Sequence, residues 1–336
     1  MKPIRDIEKP TPEQFREEIL PAGQPVLLRG LVRDWPVVQA ALDSDEAYCE
    51  YLKAFDRGYN VNTAYGPPSI GGRVFYNDDL SGINCRLEQV SLSSSLDYLL
   101  AHRDEDPGPT VAVQSVEAPR FLPGFESENR MPAGFIPAGI EPRLWVGSRT
   151  IVAAHYDPSE NIACCIAGRR RFTLFPPEQV ANLYIGPFEL TPSGPTISMV
   201  DFNDPDLEQH PRFPEAREAA ICADLEPGDA VYVPYLWWHH VESMDPVNGL
   251  VNYWWATPDE LRGDPRTALL HAMLSIKSLE PNHRDAWRAL FDHYVFETDG
   301  ETGTHLPEER RGILGKLEPK ALKKMRGALS RALSRG

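Results

Sequence analysis

The stretch Thr150-Ile151-Val152-Ala153-Ala154-His155-Tyr156-Asp157 carries the most information about the fold of this chain. Its apolar and β-branched residues predict a β-strand over residues 150–156. Side chains two residues apart on a strand lie on the same face, so His155 and Asp157 can approach one point together. This spacing makes them a candidate pair of metal ligands. The alternative is that each is an ordinary strand residue.

A second stretch, far later in the chain, supplies a third candidate ligand. Residues 232–241 read YVPYLWWHHV, and a strand is predicted over 239–242. Two imidazoles and one carboxylate, with coordination positions left open, form the ligand set of non-haem Fe(II) oxygenases. The sequence therefore predicts a metal site formed by His155, Asp157 and His239.

Composition limits the classes of partner. The chain has 336 residues, 42% hydrophobic and 25% charged, which is typical of a globular protein with a sizeable core. Its net charge of −15 argues against a broad surface for nucleic acid or anionic membranes, because both need clustered Lys and Arg. One basic cluster, residues 316–335, has a helical pattern and is interpreted as a solvated helix face.

The cysteines and the hydropathy pattern indicate a reducing compartment. Five cysteines occur at irregular spacing without a Cys-x-x-Cys pair, so neither a disulfide framework nor a zinc site is expected. The first residues lack the apolar core of a signal peptide, and no run approaches the roughly 18 apolar residues of a membrane span. We therefore expect a cytoplasmic protein.

The chain divides into three stretches by pattern. Residues 1–105 are mixed, with helices predicted to begin at Thr11 and to cover 44–55 and 91–102, and strands at 24–30 and 72–76. Residues 258–336 have helical periodicity over 267–279, 285–295 and 319–333. Between them, short strands separated by turn residues indicate a sandwich or barrel. These strands are predicted over 110–116, 143–146, 150–156, 162–166, 170–175, 219–222, 230–233, 239–242 and 250–254.

Two domains are predicted from these stretches. The first, residues 1–257, joins the strand-rich core to its N-terminal α/β elaboration, and the second, residues 258–336, is helical. An insert at about 178–218 is rich in Pro and Asp. Long loops in compact domains tend to be functional, so this insert is expected to cover the mouth of the site.

Ordered matches along residues 150–255 make the chain resemble the JmjC and cupin-like 2-oxoglutarate oxygenases, most of all the asparaginyl hydroxylase that acts on hypoxia-inducible factor. The matching segments are AHYD at 154–157, Asn161, LFPPEQ at 174–179, VDF at 200–202, PD at 205–206, PGD at 227–229, WWHH at 237–240, ES at 242–243 and VNYW at 251–254. The resemblance implies a mainly β fold with flanking helices, built on a double-stranded β-helix of the jelly-roll or cupin type. It also implies Fe(II) and the co-substrate 2-oxoglutarate.

The same resemblance assigns the ligands. In the family they are the His-x-Asp pair and the His directly after Trp-Trp, which correspond to His155, Asp157 and His239. Strand alternation agrees, because His240 then points away from the metal. His240 is expected to support the site or to fill space rather than to bind the ion.

The co-substrate is a dicarboxylate, so a fixed cation should bind its distal carboxylate. Members of the family place a Lys shortly after a Gly, and here Arg170 occupies that position in Gly168-Arg169-Arg170-Arg171. Arg can bind a carboxylate through its planar fork. Arg169 and Arg171 are expected on the opposite, exposed face. The resemblance further assigns Asn161, Asn252 and Trp254 to the co-substrate pocket.

Two positions depart from the family pattern. Val152 replaces a Thr that contacts the co-substrate, and Ala112 replaces a Tyr of an earlier pocket strand. Two hydroxyl contacts are therefore absent. Three consequences are open: Arg170 compensates for the absent contacts, the co-substrate binds in a different position, or the affinity for the co-substrate is low.

Three functions remain open from the sequence. The first is hydroxylation of a protein or peptide side chain, the second is the same chemistry on a small molecule such as an amino acid or natural-product intermediate, and the third is a metal-binding cupin without turnover. An open groove beside the insert would favour a peptide substrate, and a closed lid would favour a metabolite. By resemblance, the C-terminal helices are expected to form a homodimer, with packing on their own barrel as the alternative.

Overall fold

The computed structural model describes residues 1–192, 194–256 and 263–334. The chain forms two compact units, Met1–Ala256 and Thr257–Gly336. The boundary predicted at 257 and 258, and the end of the basic segment at 335, fall outside the described residues.

Two β-sheets dominate the first unit. The strands are β1 (Lys2–Pro3), β2 (Arg5–Glu8), β3 (Val26–Arg29), β4 (Asn60–Gly66), β5 (Arg73–Val74), β6 (Arg86–Ser91), β7 (Thr110–Glu117), β8 (Arg143–Gly147), β9 (Ile151–His155), β10 (Glu160–Ala167), β11 (Arg170–Phe175), β12 (Ile221–Leu225), β13 (Ala230–Val233), β14 (Trp238–Ser243) and β15 (Asn248–Trp255). One sheet has the order β1-β12-β11-β14-β9-β5, and the other has the order β2-β3-β13-β10-β15-β8-β7-β4-β6. The predicted fold class, mainly β with flanking helices, is confirmed.

Strand β10 of the larger sheet is covered by apolar residues on both of its faces. Ile162, Cys164 and Ile166 point to a core shared with the N-terminal helices. Ala163 and Cys165 point to the core between the two sheets. A strand covered on both faces is apolar throughout rather than alternating, as this run is.

Short helices flank the sheets, and several begin at capping residues. Thr11 accepts a hydrogen bond from the Gln14 backbone N–H at 3.2 Å, and Ser44 accepts one from the Ala47 N–H at 3.0 Å. The helices are α1 (Pro12–Gln14), α2 (Leu20–Ala22), α3 (Pro36–Asp43), α4 (Asp45–Lys53), α5 (Leu92–Ala101), α6 (Ala118–Phe121), α7 (Phe125–Glu128) and α8 (Phe213–Ala219), with a π-helical segment, Phe15–Ile19, between α1 and α2.

The strand predicted at 72–76 is shorter in the structure. Only Arg73–Val74 pairs with β9, because the following residues form a small loop in which the Asn84 side chain accepts a hydrogen bond from the Phe75 N–H at 2.9 Å. Strands β4 and β6 were not predicted. For β6 the reason is its position at a sheet edge, where most of its residues are exposed or half-buried.

The insert after β11 forms a strap, residues 190–200, against β9, the strand that carries His155. The backbone N–H of Ser198 donates to the Ala154 carbonyl at 2.7 Å, and Ile197 forms an isolated bridge with His155. The Tyr76 hydroxyl donates to the Leu190 carbonyl at 2.8 Å. These contacts tie the segment around residues 190–200 to β9 and to the loop after β5.

The second unit contains three longer helices, α9 (Pro265–Ile276), α10 (Pro281–Tyr294) and α11 (Pro319–Leu333). Several large apolar side chains of α9 and α10 are exposed, among them Leu274 at 76% and Trp287 at 44%. Within the described residues, no helix combines the length and apolarity needed to cross a bilayer.

Gly249 of β15 provides a stability test of the core. A Cβ atom there would overlap the Tyr48 hydroxyl and lie 2.9 Å from Cγ1 of Ile166, both deeply buried. We expect Gly249→Ala to lower the free energy of unfolding by about 1–3 kcal/mol, as overpacking does. Tyr48→Phe alone should be nearly neutral, because that hydroxyl has no partner among the described residues. Denaturant unfolding should show that Tyr48→Phe recovers part of the loss in the Gly249→Ala background; additive losses would contradict this prediction.

Candidate metal centre

The pairing of β9 with β14 brings the two candidate imidazoles together. His155 and His239 lie directly opposite each other in this antiparallel pair, with ring centroids 4.2 Å apart. The candidate ligand atoms of His155, Asp157 and His239 all lie within 4.8 Å of one another. Nε2 of His239 is 3.6 Å from Oδ2 of Asp157. This spacing suits one ion bound between the three side chains.

Backbone carbonyls fix which nitrogen of each imidazole is available. Nδ1 of His155 lies 3.0 Å from the Ala153 carbonyl, and Nδ1 of His239 lies 3.1 Å from the Trp237 carbonyl. A carbonyl can only accept, so each Nδ1 carries the proton and each Nε2 keeps a lone pair. Burial lowers the pKa of His239 to about 4, with His155 adding to this and Asp157 opposing it. The ring is therefore neutral, as a ligand must be.

Asp157 lies just beyond the end of β9 rather than within a strand. Its carbonyl accepts a hydrogen bond from the Leu236 N–H at 3.1 Å, and Pro158, which has no N–H, follows it. The side-chain Oδ2 is buried and accepts no hydrogen bond from any described residue. A buried carboxylate oxygen without a partner is costly, and a bound cation would satisfy it. The residues present thus fit a divalent metal.

His240 lies outside this cluster. Its ring stacks on Phe202 with centroids 4.2 Å apart and an interplanar angle of 21°. Nδ1 lies 3.5 Å from Oε1 of Glu242. Residue alternation along β14 therefore places His239 and His240 on opposite faces, as expected.

The candidate ligands line a pocket between the two sheets. Among the described residues of its lining, Arg170 is the one charged side chain besides those ligands. Pro192, Pro195 and Ile197 of the strap form part of the wall. The insert thus contributes to the wall of the pocket, and its place over the mouth stays a prediction.

The three consecutive arginines have two different environments. Arg170 is 6% exposed, and its Nε has no hydrogen-bond partner among the described residues. Burial lowers the pKa of Arg170, with the nearby Cys165 and Tyr48 opposing this shift. Arg169 and Arg171 instead form two-pronged ion pairs at the surface. Their respective partners are Asp245 and Asp224.

The remaining predicted pocket residues also line this cavity. Asn252 donates from Nδ2 to Oδ1 of Asn161 at 2.8 Å, so the Asn161 amide offers its N–H groups, rather than this oxygen, to other partners. The indole Nε1 of Trp254 is buried and has no partner among the described residues. Val152 and Ala112, the two departures from the family pattern, line the same cavity.

Among the pocket residues that were not predicted from the sequence, three carry a polar side-chain group. Gln114 lies two residues beyond Ala112 on β7, and Thr150 lies two residues before Val152 with its hydroxyl 3.0 Å from that of Ser243. Trp145 lines the pocket from β8. Strand alternation could have identified Gln114 and Thr150. The face on which Trp145 lies was harder to predict, because the pairing of β8 with β7 contains a bulge.

A comparison with protein-family models matches residues 12–261 to the cupin-like domain. The chain therefore belongs to this family, and the resemblance to JmjC and cupin-like oxygenases is confirmed. HSPB1-associated protein 1 of Mus musculus is 29% identical over 304 residues, covering 82% of this chain and 58% of that protein. Jumonji C domain-containing protein 5 of Drosophila melanogaster is 24% identical over 257 residues, covering 75% and 59%. Lysine-specific demethylase 8 of Danio rerio is 25% identical over 268 residues, covering 76% and 59%. The chain thus spans about three fifths of the length of these relatives.

Metal binding should separate the two adjacent histidines. His239→Ala is expected to abolish stoichiometric Mn(II) or Fe(II) binding, because it removes one of three convergent ligands. His240→Ala should largely retain binding, since that ring packs on Phe202. Calorimetric titration of both variants with Mn(II) provides the measurement. Equal loss of metal in the two variants would leave the ligand assignment unsupported.

Proposed function

We propose that this member of the cupin-like domain family is an Fe(II)- and 2-oxoglutarate-dependent oxygenase that hydroxylates a side chain of a protein or peptide. The observation that carries the proposal is one pocket holding both the three candidate ligands, His155, Asp157 and His239, and the buried guanidinium of Arg170, whose Nε has no hydrogen-bond partner among the described residues. A metal site alone fits many cupins. A metal site beside a buried cation fits a metal-chelating ligand with a distal carboxylate.

The protein's own part in the proposed reaction is to hold ligands and exclude water. His155, Asp157 and His239 would hold Fe(II), which together with 2-oxoglutarate and dioxygen supplies the oxidising chemistry. The carbonyls of Ala153 and Trp237 orient the two imidazoles toward the ion. The three ligands leave coordination positions open for the co-substrate and oxygen.

Arg170 is proposed to bind the distal carboxylate of 2-oxoglutarate. A buried guanidinium without a counter-ion is unfavourable, and a carboxylate on its planar fork would relieve that cost. The amide N–H groups of Asn161 and Nε1 of Trp254, which has no partner among the described residues, are further donors in the same pocket. Such donors suit an anionic co-substrate.

A macromolecular substrate is favoured by the similarity to lysine-specific demethylase 8, whose name states an action on lysine. The alternative, a small-molecule substrate, is favoured by the strap, since Pro192, Pro195 and Ile197 form part of the pocket wall. Hydroxylation profiling of proteins and metabolites from matched wild-type and deletion cells would separate the two. A third alternative, a metal-binding cupin without turnover, predicts no succinate from 2-oxoglutarate.

The proposed function is tested through Arg170. Arg170→Met should raise the dissociation constant for 2-oxoglutarate about a hundredfold or more, because breaking a shielded charge pair costs roughly 3–5 kcal/mol. Arg170→Lys should retain part of the affinity, since the charge remains and the fork is lost. Calorimetry on the Mn(II) form and succinate formation with Fe(II) provide the two readouts.

Arg171→Met is the matched control for this test. It removes the same group from the adjacent position, where the side chain pairs with Asp224 at the surface. Its effect on 2-oxoglutarate affinity should be small. Absence of 2-oxoglutarate binding by the wild-type protein would refute the proposed function and favour a cupin that does not use this co-substrate.

We further propose that the chain forms a twofold homodimer through its C-terminal helices. Leu269, Leu270 and Leu274 of α9, with Trp287 and Leu290 of α10, are exposed large apolar residues that a partner copy could cover. Light scattering at tens of micromolar should give the mass of a dimer. Leu274→Glu should shift it to a monomer, and Leu207→Glu, at an exposed residue of the first unit, should not. A monomeric wild-type protein would contradict the proposal.

A further inference from the structure

Trp145 is a pocket residue that the family pattern does not explain. It is half-buried on β8 and lines the cavity that contains Arg170 and the candidate metal ligands. Its indole Nε1 is buried and has no hydrogen-bond partner among the described residues. A buried N–H without a partner is unfavourable, so a site that retains one is typically completed by a ligand or an ordered water.

The strand register places Trp145 toward the Arg170 end of the pocket. Trp145 pairs with Leu250 on β15, and Leu250 pairs on its other side with Cys165 on β10. Cys165 is close enough to Arg170 to act on its charge. The other unpaired indole, that of Trp254, lies further along β15, and its ring is perpendicular to Trp145 with centroids 6.0 Å apart.

The backbone of Trp254 lies nearer the candidate ligands. It pairs with Asn161 on β10, close to the chain segment that carries His155 and Asp157. The two rings meet in the pocket, but the backbone of Trp145 is the one in register with Cys165, beside Arg170.

Ala112 lacks the hydroxyl donor of the Tyr that the family pattern has at this position, and it lies near Trp145. It lies on β7 opposite Gly147, two residues from Trp145 on the neighbouring strand, and it lines the pocket. Its methyl group supplies neither bulk nor a hydrogen bond. The Trp145 ring can supply both from the adjacent strand.

Building on the proposed function, we infer that Trp145 is a specificity-determining residue that donates a hydrogen bond from Nε1 to the distal carboxylate of 2-oxoglutarate, beside Arg170. The hydroxyl contacts absent at Val152 and Ala112 are then replaced in part by an indole N–H. Two donors of different shape, a fork and a single N–H, would select a carboxylate over an uncharged end group.

The experiment compares Trp145→Phe with wild-type protein in the Mn(II) form. Phe keeps an aromatic ring and loses the donor, so the dissociation constant for 2-oxoglutarate measured by calorimetry should rise about tenfold or more. The affinity for Mn(II) should remain within about twofold, because none of the three candidate ligands changes. Trp287→Phe, which removes an indole from the second unit, should leave both constants unchanged.

Trp145→Leu distinguishes the donor from the ring. Comparable losses of 2-oxoglutarate affinity in the Phe and Leu variants, with Mn(II) binding retained, would support the assignment. Full affinity in the Phe variant, or a loss of Mn(II) together with 2-oxoglutarate, would show that only packing matters and would overturn it. If wild-type protein binds 2-oxoglutarate and depends on Arg170 while Trp145→Phe has no effect, this inference fails and the proposed function stands.

Discussion

The pairing of His155 with His239 across β9 and β14 is the contact on which the rest of the site depends. A strand that slips by one residue turns every side chain to the other face, and His240 would then replace His239. The register is fixed by the contacts further along the two strands. Val152 and Ile151 pair with Val241 and Glu242, beyond an irregularity in β9, and the hydroxyls of Thr150 and Ser243 lie 3.0 Å apart further along.

The same principle positions the buried cation on the neighbouring strand. Arg170 lies between two arginines whose guanidinium groups form paired hydrogen bonds with surface carboxylates. Those pairs are exposed and contribute little stability individually. Their effect is on geometry, because two anchored neighbours on the outer face leave Arg170 no direction except inward. The strand thus holds in the interior a charge that would otherwise turn to solvent.

Much of the first unit could be predicted from sequence because its signals are local. The facing of His239 and His240 and the alternation of the three arginines follow from the two-residue period of a strand, and the apolar run of β10 follows from its burial on both faces. The capping residues Thr11 and Ser44 likewise marked where helices begin. In each case the relevant physical interaction lies within a few residues of the signal.

The features that sequence reasoning missed depend on distant partners. Strand β6 has an exposed edge pattern and becomes a strand only because β4 pairs with it. Asp157 leaves the strand because its carbonyl is engaged by Leu236, nearly eighty positions away. The sequence around Trp145 is equally compatible with a core residue and with a pocket residue. The pairing of β8 with β15 decides between these two positions.

The strap also links the width of the pocket mouth to the shape of the metal centre. Its Ser198 N–H is bonded to the Ala154 carbonyl, one residue before His155, and Ile197 bridges to His155 itself. Moving the strap away to admit a large substrate would break the hydrogen bond between Ser198 and Ala154 at the end of β9. A substrate that reaches the pocket without displacing this segment, such as a single side chain presented by a peptide or a small molecule, would leave that bond in place.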